Sequence, residues 1–195
     1  MIDLSIIIPA YNEEKRISLT LKKTCEFLEQ RFWSYELIVV DDGSRDRTIQ
    51  VIEELAIARD DIKVVRNNRN RGKGFSVRRG LEVARGRFIG YMDADYKTDI
   101  RALDDVMRYL ENSSKIVIGD RTLKNTEIVA ARSVLREIGS KTFKTLLSFL
   151  MGRRTFEDTQ CGFKFFCSDV MRKAFLVQKV DGYMFDVEIL LILTR

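Results

Sequence analysis

Histidine is absent from this chain of 195 residues. That absence excludes Ser–His–Asp triads, histidine general bases and histidine-ligated zinc. Catalysis is left to carboxylates, Lys, Arg, Tyr, Ser, Thr, Cys or a cation held by oxygen. Proline is scarce too, and the single one, Pro9, is expected to close a first strand, where a missing N–H does least harm. The three cysteines, Cys25, Cys161 and Cys167, are odd in number and lack metal or redox spacing, which points to a reducing cytosol. Long apolar runs are missing as well. Leu4–Ala10, Leu37–Val40 and Leu146–Met151 fall far short of the ~20 residues a membrane span needs. Leu4–Ala10 is also too short for a signal peptide and runs directly into Asn12-Glu13-Glu14, so none is expected.

What is present is an ordinary globular composition, 45% hydrophobic and 32% charged, and one domain is the expectation at this length. The net charge of +5 is unevenly spread. Between Arg121 and Arg154 eight basic residues face two acidic ones, which leaves −1 for the rest of the chain.

In the first 120 residues, β-branched runs alternate with helical patterns. The strand candidates are Leu4–Ile8, Glu36–Val40, Ile62–Val65, Arg87–Met92 and Lys115–Ile118. Helical spacing relates Ile17, Leu21, Cys25, Leu28 and Phe32, then Ile49, Ile52, Leu55 and Ala56. It recurs at Val77, Leu81 and Ala84, and at Leu103, Val106, Met107 and Leu110. The alternation predicts an α/β fold with a mostly parallel central sheet and helices on both faces. Functional loops then gather at the carboxyl ends of the strands. After residue 120 the alternation fails. Arg132–Met151 reads as a helical stretch with a break at Gly139, followed by a Gly/Cys/Phe segment, Asp158–Phe166. A final helix from about Phe185 reaches Arg195 without a stop signal, so the natural chain is expected to be longer.

The run Ile89-Gly-Tyr-Met-Asp-Ala-Asp95 leads an apolar strand into two carboxylates. In an extended segment residues i and i+2 point the same way. Asp93 and Asp95 could then face one hard cation, of the kind that prefers oxygen ligands and bridges phosphates. A solvated Asp turn fits the same tripeptide. The neighbouring strand-end loops favour the cation site. Pro9-Ala10-Tyr11-Asn12-Glu13-Glu14 follows the first strand, and Asp41-Asp42-Gly43-Ser44-Arg45-Asp46-Arg47-Thr48 follows the second. Asp41 and Asp42 can accept hydrogen bonds from a base or ribose edge, while Ser44 or Asp46 suits a helix cap. Asn67-Asn68-Arg69-Asn70-Arg71-Gly72-Lys73-Gly74 follows the third strand. Its glycines permit a tight turn, and Lys73 can reach a phosphate at the next helix start. It is not a P-loop, which would need Gly-x-x-x-x-Gly-Lys-Ser/Thr.

Taken in order, Ile7-Ile-Pro-Ala-Tyr-Asn-Glu-Glu14, Val39-Val-Asp-Asp-Gly-Ser-x-Asp-x-Thr48, Asn70-x-Gly-Lys-Gly74 and Met92-Asp-Ala-Asp95 resemble a family 2 glycosyltransferase of GT-A fold. Asp158-Thr-Gln-Cys-Gly-Phe-Lys-Phe-Phe166 and Phe185-Asp-Val-Glu188 narrow the resemblance. They are similar to the polyprenyl (dolichyl) phosphate glycosyltransferases, the dolichyl-phosphate β-glucosyltransferase branch and its mannosyl relatives. The resemblance implies that residues 1–120 bind a nucleotide sugar and residues 121–195 face acceptor and membrane. It assigns Pro9, Ala10, Tyr11, Glu13 and Asp41 or Asp42 to the nucleoside, and Lys73 to the nucleotide loop. Asp93-Ala94-Asp95 becomes the DXD motif, holding Mg²⁺ or Mn²⁺ and the diphosphate. Arg121, in Gly119-Asp120-Arg121, and Arg132 would grip the acceptor phosphate, so Asp93, Asp95, Arg121 and Arg132 form the implied catalytic set. Arg136, Gln160 and Glu188 complete the acceptor side. One departure stands out: two residues past the motif, where relatives often carry a polar metal neighbour, this chain has Lys97. A protonated lysine cannot ligate a cation, so either fewer protein ligands hold the metal or Lys97 replaces part of its charge.

The implied reaction is inverting transfer of glucose or mannose from a UDP- or GDP-sugar to dolichyl or polyprenyl phosphate, for glycan or glycolipid assembly. It suits a chain without histidine. A phosphate monoester is already ionised near neutral pH, its second pKa being about 6, and needs no general base. It needs cationic clamping, for which Arg is better suited than Lys. Between Val134 and Met151 apolar residues sit among Arg136, Lys141 and Lys144. Such a segment suits a helix lying peripherally on an anionic membrane surface, here the cytoplasmic face, and also a core helix with a solvated basic side. No recognised nucleic-acid motif is present. Cys161 reads as a packing residue. Glu188 could orient a substrate hydroxyl, brace the acceptor loop or pair with an arginine. Two other readings remain: transfer to a hydroxyl of a soluble glycan or glycolipid, with Asp158 or Glu188 as base, and a non-catalytic module binding nucleotide sugar or membrane.

Overall fold

The computed structural model describes residues 2–120 and 161–193. Six strands, β1 (Leu4–Ala10), β2 (Tyr35–Asp41), β3 (Ile62–Arg66), β4 (Phe88–Met92), β5 (Ile116–Ile118) and β6 (Phe163–Cys167), form one sheet in the order β3-β2-β1-β4-β6-β5. β1 runs parallel to β2 and β4, and β2 parallel to β3. β6 alone is reversed, pairing antiparallel with both β4 and β5. The helices are α1 (Ile17–Leu28), α2 (Thr48–Ala56), α3 (Lys73–Val83), α4 (Ala102–Glu111), α5 (Ser168–Val177) and α6 (Phe185–Leu193).

Period-two alternation divides the strands between two cores. Ile6, Ile8, Leu37, Val39, Phe163 and Phe165 pack with α1, α2 and α4 through Leu21, Ile52 and Leu103. Ile7, Ile38, Val40, Ile89 and Phe166 pack on the other face with Val77 of α3, Phe175 of α5 and Phe185 of α6. Helices thus cover both faces of a mostly parallel sheet, as the alternation predicts. From β1 the chain proceeds outward through β2 and β3, then returns to place β4 on the other side of β1. That reversal opens a crevice at the carboxyl ends of β1 and β4, where open α/β sheets take their ligands.

Three details differ from the sequence expectations. α1 ends at Leu28, so Phe32 lies beyond the helix and is fully exposed. The chain tightens there through bonds from Gln30 N–H to the Phe27 carbonyl and from Arg31 N–H to that of Leu28. Pro9 lies inside β1, which continues to Ala10, but the ladder to β4 has already ended at Ile7. Most substantially, the Gly/Cys/Phe segment contains β6, and α5 follows it directly. Phe163, Lys164, Phe165 and Phe166 are all fully buried, so the strand shows none of the alternation that marks a half-exposed one. Its register is set by Gly90, which faces Phe165 across the ladder. A Cβ on Gly90 would fall 2.0 Å from the Phe165 ring. The helical stretch expected over Arg132–Met151 lies outside the described residues.

Candidate active site

The loops after β1 and β2 are bonded to each other. Asn12, at φ 55°, donates its N–H to Ser44 Oγ at 3.0 Å, and its Oδ1 accepts from Arg45 N–H at 2.9 Å. Glu13 N–H donates to Thr48 Oγ1 at 2.7 Å, and Glu14 accepts from Arg47 N–H at 3.0 Å. Asp46 accepts the Thr48 N–H at 3.0 Å, so the first N–H of α2 is satisfied by Asp46 and not by Ser44. Ala10 is buried, Tyr11 is 38% exposed, and Glu13 forms a two-pronged pair with Arg16 at 2.6 and 2.7 Å. Tyr11 and Glu13 thus lie in the loop at the carboxyl end of β1.

Asp41 and Asp42 are both buried. Asp41 accepts from Ser44 N–H at 3.2 Å. Asp42 accepts from the N–H groups of Arg71 at 3.0 Å and Gly72 at 2.8 Å, and from the Asn67 amide at 2.8 Å. Three donors therefore engage Asp42 as the brace of the loop between β3 and α3. Gly72, at φ 103°, needs its missing side chain, because a Cβ would fall 2.5 Å from the Asp181 carbonyl oxygen.

The carboxylate pair does not lie on extended backbone. β4 ends at Met92, Ala94 and Asp95 form a turn, and Tyr96 has φ 54°. A continuing strand therefore does not align Asp93 with Asp95, contrary to the sequence expectation. The turn is held from two sides. The Ala94 carbonyl accepts from Thr20 Oγ1 at 2.6 Å, and Asp93 N–H donates to the Gly162 carbonyl at 3.0 Å. A Cβ on Gly162 would fall 2.1 Å from the Asp93 carboxylate, so this glycine, just before β6, makes room for that side chain.

Each carboxylate meets a lysine. Lys73, the first residue of α3, places Nζ 2.7 Å from Asp93, and Lys97 pairs with Asp95. Behind Asp93 lies a buried cluster. Asp186 accepts from Tyr91 Oη at 2.7 Å and from Lys164 Nζ at 2.5 Å, and its second oxygen lies 3.6 Å from Lys73. Lys164 also donates to the Cys161 carbonyl at 2.6 Å. Burial lowers the pKa of Lys164 against the pull of Asp186, and it raises that of Tyr91 well above the ordinary phenol value. For Lys73 burial acts downward too, but Asp186 and Asp93 together override it and hold the ammonium charged. Among the described residues no group of three or more His, Cys, Asp or Glu is placed to hold a metal. Two carboxylates still suit a hard cation that completes its shell with water and phosphate oxygens.

The sequence singles out Lys73 and Asp93 separately, and the structure pairs them. Tyr91, Lys164 and Asp186 are not singled out; Lys164 and Asp186 carry the signal of a charged residue inside an apolar run, Phe163-Lys164-Phe165 and Phe185-Asp186-Val187, and Tyr91 carries none. Glu188 is a brace: its carboxylate accepts from the N–H groups of Lys179 at 3.0 Å and Val180 at 2.8 Å. No ion pair of Glu188 with an arginine occurs among the described residues. Cys161 packs, 1% exposed. Burial pushes the Cys25 thiol up to about 11, which leaves it unreactive at neutral pH. Arg121, Arg132, Arg136 and Gln160 lie outside the described residues.

A reversal between β1 and β4, a single antiparallel strand beyond it and acidic residues at the end of β4 define the GT-A glycosyltransferase fold. Solved structures agree. Glucosyl-3-phosphoglycerate synthase from Mycobacterium tuberculosis, in complex with Mn²⁺, UDP-glucose and phosphoglyceric acid, matches 96% of this chain and 63% of its own, with TM-score 0.70 and 20% identity. S. aureus TarS 1–349 in complex with UDP-GlcNAc matches 96% of this chain and 53% of its own, with TM-score 0.62 and 19% identity. Residues 5–175 match Glycosyl transferase family 2, and the chain belongs to that family. The dolichyl-phosphate beta-glucosyltransferase of Saccharomyces cerevisiae is 37% identical over 210 residues, covering 98% of this chain and 63% of that protein. The human protein of the same name is 36% identical over 202 residues, covering 97% and 62%. The chain spans a little under two thirds of the length of these curated relatives.

Proposed function

We propose that this chain transfers a hexose, glucose from UDP-glucose in the first instance, to dolichyl or another polyprenyl phosphate with inversion at the sugar. GDP-mannose is the alternative donor. The observation that carries the reading is the Lys73–Asp93 pair at the switch point of a family 2 fold, in a chain this similar to dolichyl-phosphate β-glucosyltransferases. Pro9, Ala10, Tyr11 and Glu13 are assigned to the nucleoside, with Asp41 beside Ala10 in the β1–β2 ladder and Asp42 holding the adjoining loop in place. Asp93 and Asp95 would hold Mg²⁺ or Mn²⁺, which supplies Lewis-acid stabilisation of the departing diphosphate. Lys73 stands at the amino end of α3, where ammonium and helix dipole both favour a phosphate.

The acceptor's ionised phosphate is its own nucleophile, so no residue has to remove a proton. Arg121, Arg132, Arg136 and Gln160 are proposed to bind it. A hydroxyl acceptor would need a carboxylate base. Glu188 is engaged by two backbone N–H groups, which leaves that reading to Asp158 alone. No helix among the described residues is long and apolar enough to cross a membrane. Access to a lipid acceptor is assigned, on the charge pattern of the sequence, to peripheral binding at the cytoplasmic face by the basic and apolar segment Arg132–Met151.

A transfer assay tests the reading by crossing UDP-glucose and GDP-mannose with a polyprenyl phosphate, with and without EDTA. The expected product is the lipid-linked glucose, lost on chelation. Transfer to a soluble glycan instead, or no transfer from either donor, would refute it.

A further inference from the structure

Both candidate cation ligands already carry a lysine, and the two pairs are not equivalent. Lys97 is 66% exposed, so water screens its charge and the pair with Asp95 is worth little. The Lys73 side chain is only 10% exposed, and its ammonium sits between two carboxylates, Asp93 at 2.7 Å and Asp186 at 3.6 Å. A divalent cation taking Asp93 has to displace that ammonium. A buried ammonium left without an anion is strongly destabilising. Asp186 is the carboxylate next to it, and it is held firmly for that role. Tyr91 and Lys164, both fully buried, fix its Oδ1, while Oδ2 faces Lys73.

We propose that Lys73 is a resident cation that competes with the divalent metal for Asp93. Asp186 is a positioning residue that retains Lys73 when Asp93 turns to the metal. The inference rests on the reading of Asp93 and Asp95 as the cation site. Its consequence is an order of events. Metal alone binds weakly, because Lys73 must give up its nearer partner. A diphosphate offers the displaced ammonium a third anion, so metal and nucleotide bind better together than apart.

The test is titration of Mn²⁺ into the purified protein without donor, read by calorimetry or by the EPR signal of free Mn²⁺. Lys73→Met should tighten binding on the order of tenfold, about 1.4 kcal/mol. Asp186→Asn made together with Lys164→Met removes one charge of each sign, so the local field changes little. That double variant should weaken Mn²⁺ binding, because Lys73 then has Asp93 as its sole anion in the cluster. Added to Lys73→Met, the same two changes should have no effect. A merely structural role for Asp186 would weaken binding equally in both backgrounds. That result, or unchanged affinity in Lys73→Met, overturns the inference. Lys73→Met leaves the Lys164–Asp186 pair in place, so it decides the question even if the double variant misfolds. Asp95→Ala separates the parent reading. If it abolishes Mn²⁺ binding while Lys73→Met gains nothing, the cation site stands and only the competition falls. If it binds Mn²⁺ unchanged, both fall.

Discussion

Asp93 keeps its place because Gly162 has no side chain. The glycine carbonyl accepts the Asp93 N–H at 3.0 Å, and the space a Cβ would fill holds the carboxylate. Gly162→Ala is therefore expected to fold and to lower kcat by about 10²-fold, the scale of an ångström-sized misplacement of a catalytic group. Steady-state kinetics beside a thermal melt check this, and wild-type kcat in a folded variant would mean that Asp93 can shift without consequence. The same residue scale explains what the sequence could show of the site. Tyr11, Glu13, Asp41, Lys73 and Asp93 could be singled out because each lies at a strand end or in the polar segment that follows one. Asp186 was not, since its partners Tyr91 and Lys164 lie 95 and 22 residues away and nothing local marks the contact. Glu188, two residues on, looked equally suitable. The start of α6 turns Asp186 inward and leaves Glu188 to hold the Lys179–Val180 backbone.

Among the elements, β1 to β5 were legible within about two residues because β-branched runs between polar loops have few other ways to fold. β6 was hidden by its own burial, and its place between β4 and β5 depends on a contact the sequence does not announce. Gly90→Val should make that contact impossible without moving Phe165. The expected loss is about 1–3 kcal/mol or more, as for overpacking elsewhere. A chemical denaturation midpoint close to that of the unmodified protein would argue against the register Gly90↔Phe165. At the other end of the sheet, Glu36 ties β1, β2 and β3 together. It accepts from Ser5 Oγ at 2.6 Å, from Arg85 N–H at 2.6 Å and from Lys63. Burial acts to raise its pKa, but these donors overcome that and hold it below the ordinary 4.5. With the folded value depressed, the stabilisation is complete above pH 4.5 and is lost as pH falls through the folded-state value. Glu36→Gln should lower the melting temperature at pH 7 and narrow its gap to the parent protein below pH 4. A gap that stayed constant with pH would assign the loss to packing.

For the whole molecule the deciding quantity is where the charge sits. The net +5 is more than accounted for by the Arg121–Arg154 segment, whose eight basic residues face two acidic ones, while the remainder of the chain is −1. Attraction to an anionic surface would then come from that segment, the rest of the chain being nearly neutral. Each basic residue near such a surface contributes about 1 kcal/mol, and the attraction decays within a Debye length. Apolar residues such as Leu146, Phe149 and Leu150 in the same segment would add burial at the headgroup boundary. Co-sedimentation with vesicles should then require anionic lipid. It should weaken sharply as salt rises from about 0.05 to 0.5 M, where the Debye length falls from roughly 14 to 4 Å. Charge reversal at Lys141 and Lys144 should remove most of the binding and leave soluble-nucleotide binding unchanged, since the loops proposed to bind the nucleotide lie between Pro9 and Asp95. Binding to neutral vesicles of equal strength, or binding indifferent to salt, would assign the lipid contact to apolar surface instead, and the exposed Leu176, Val177 and Tyr183 would be the place to look.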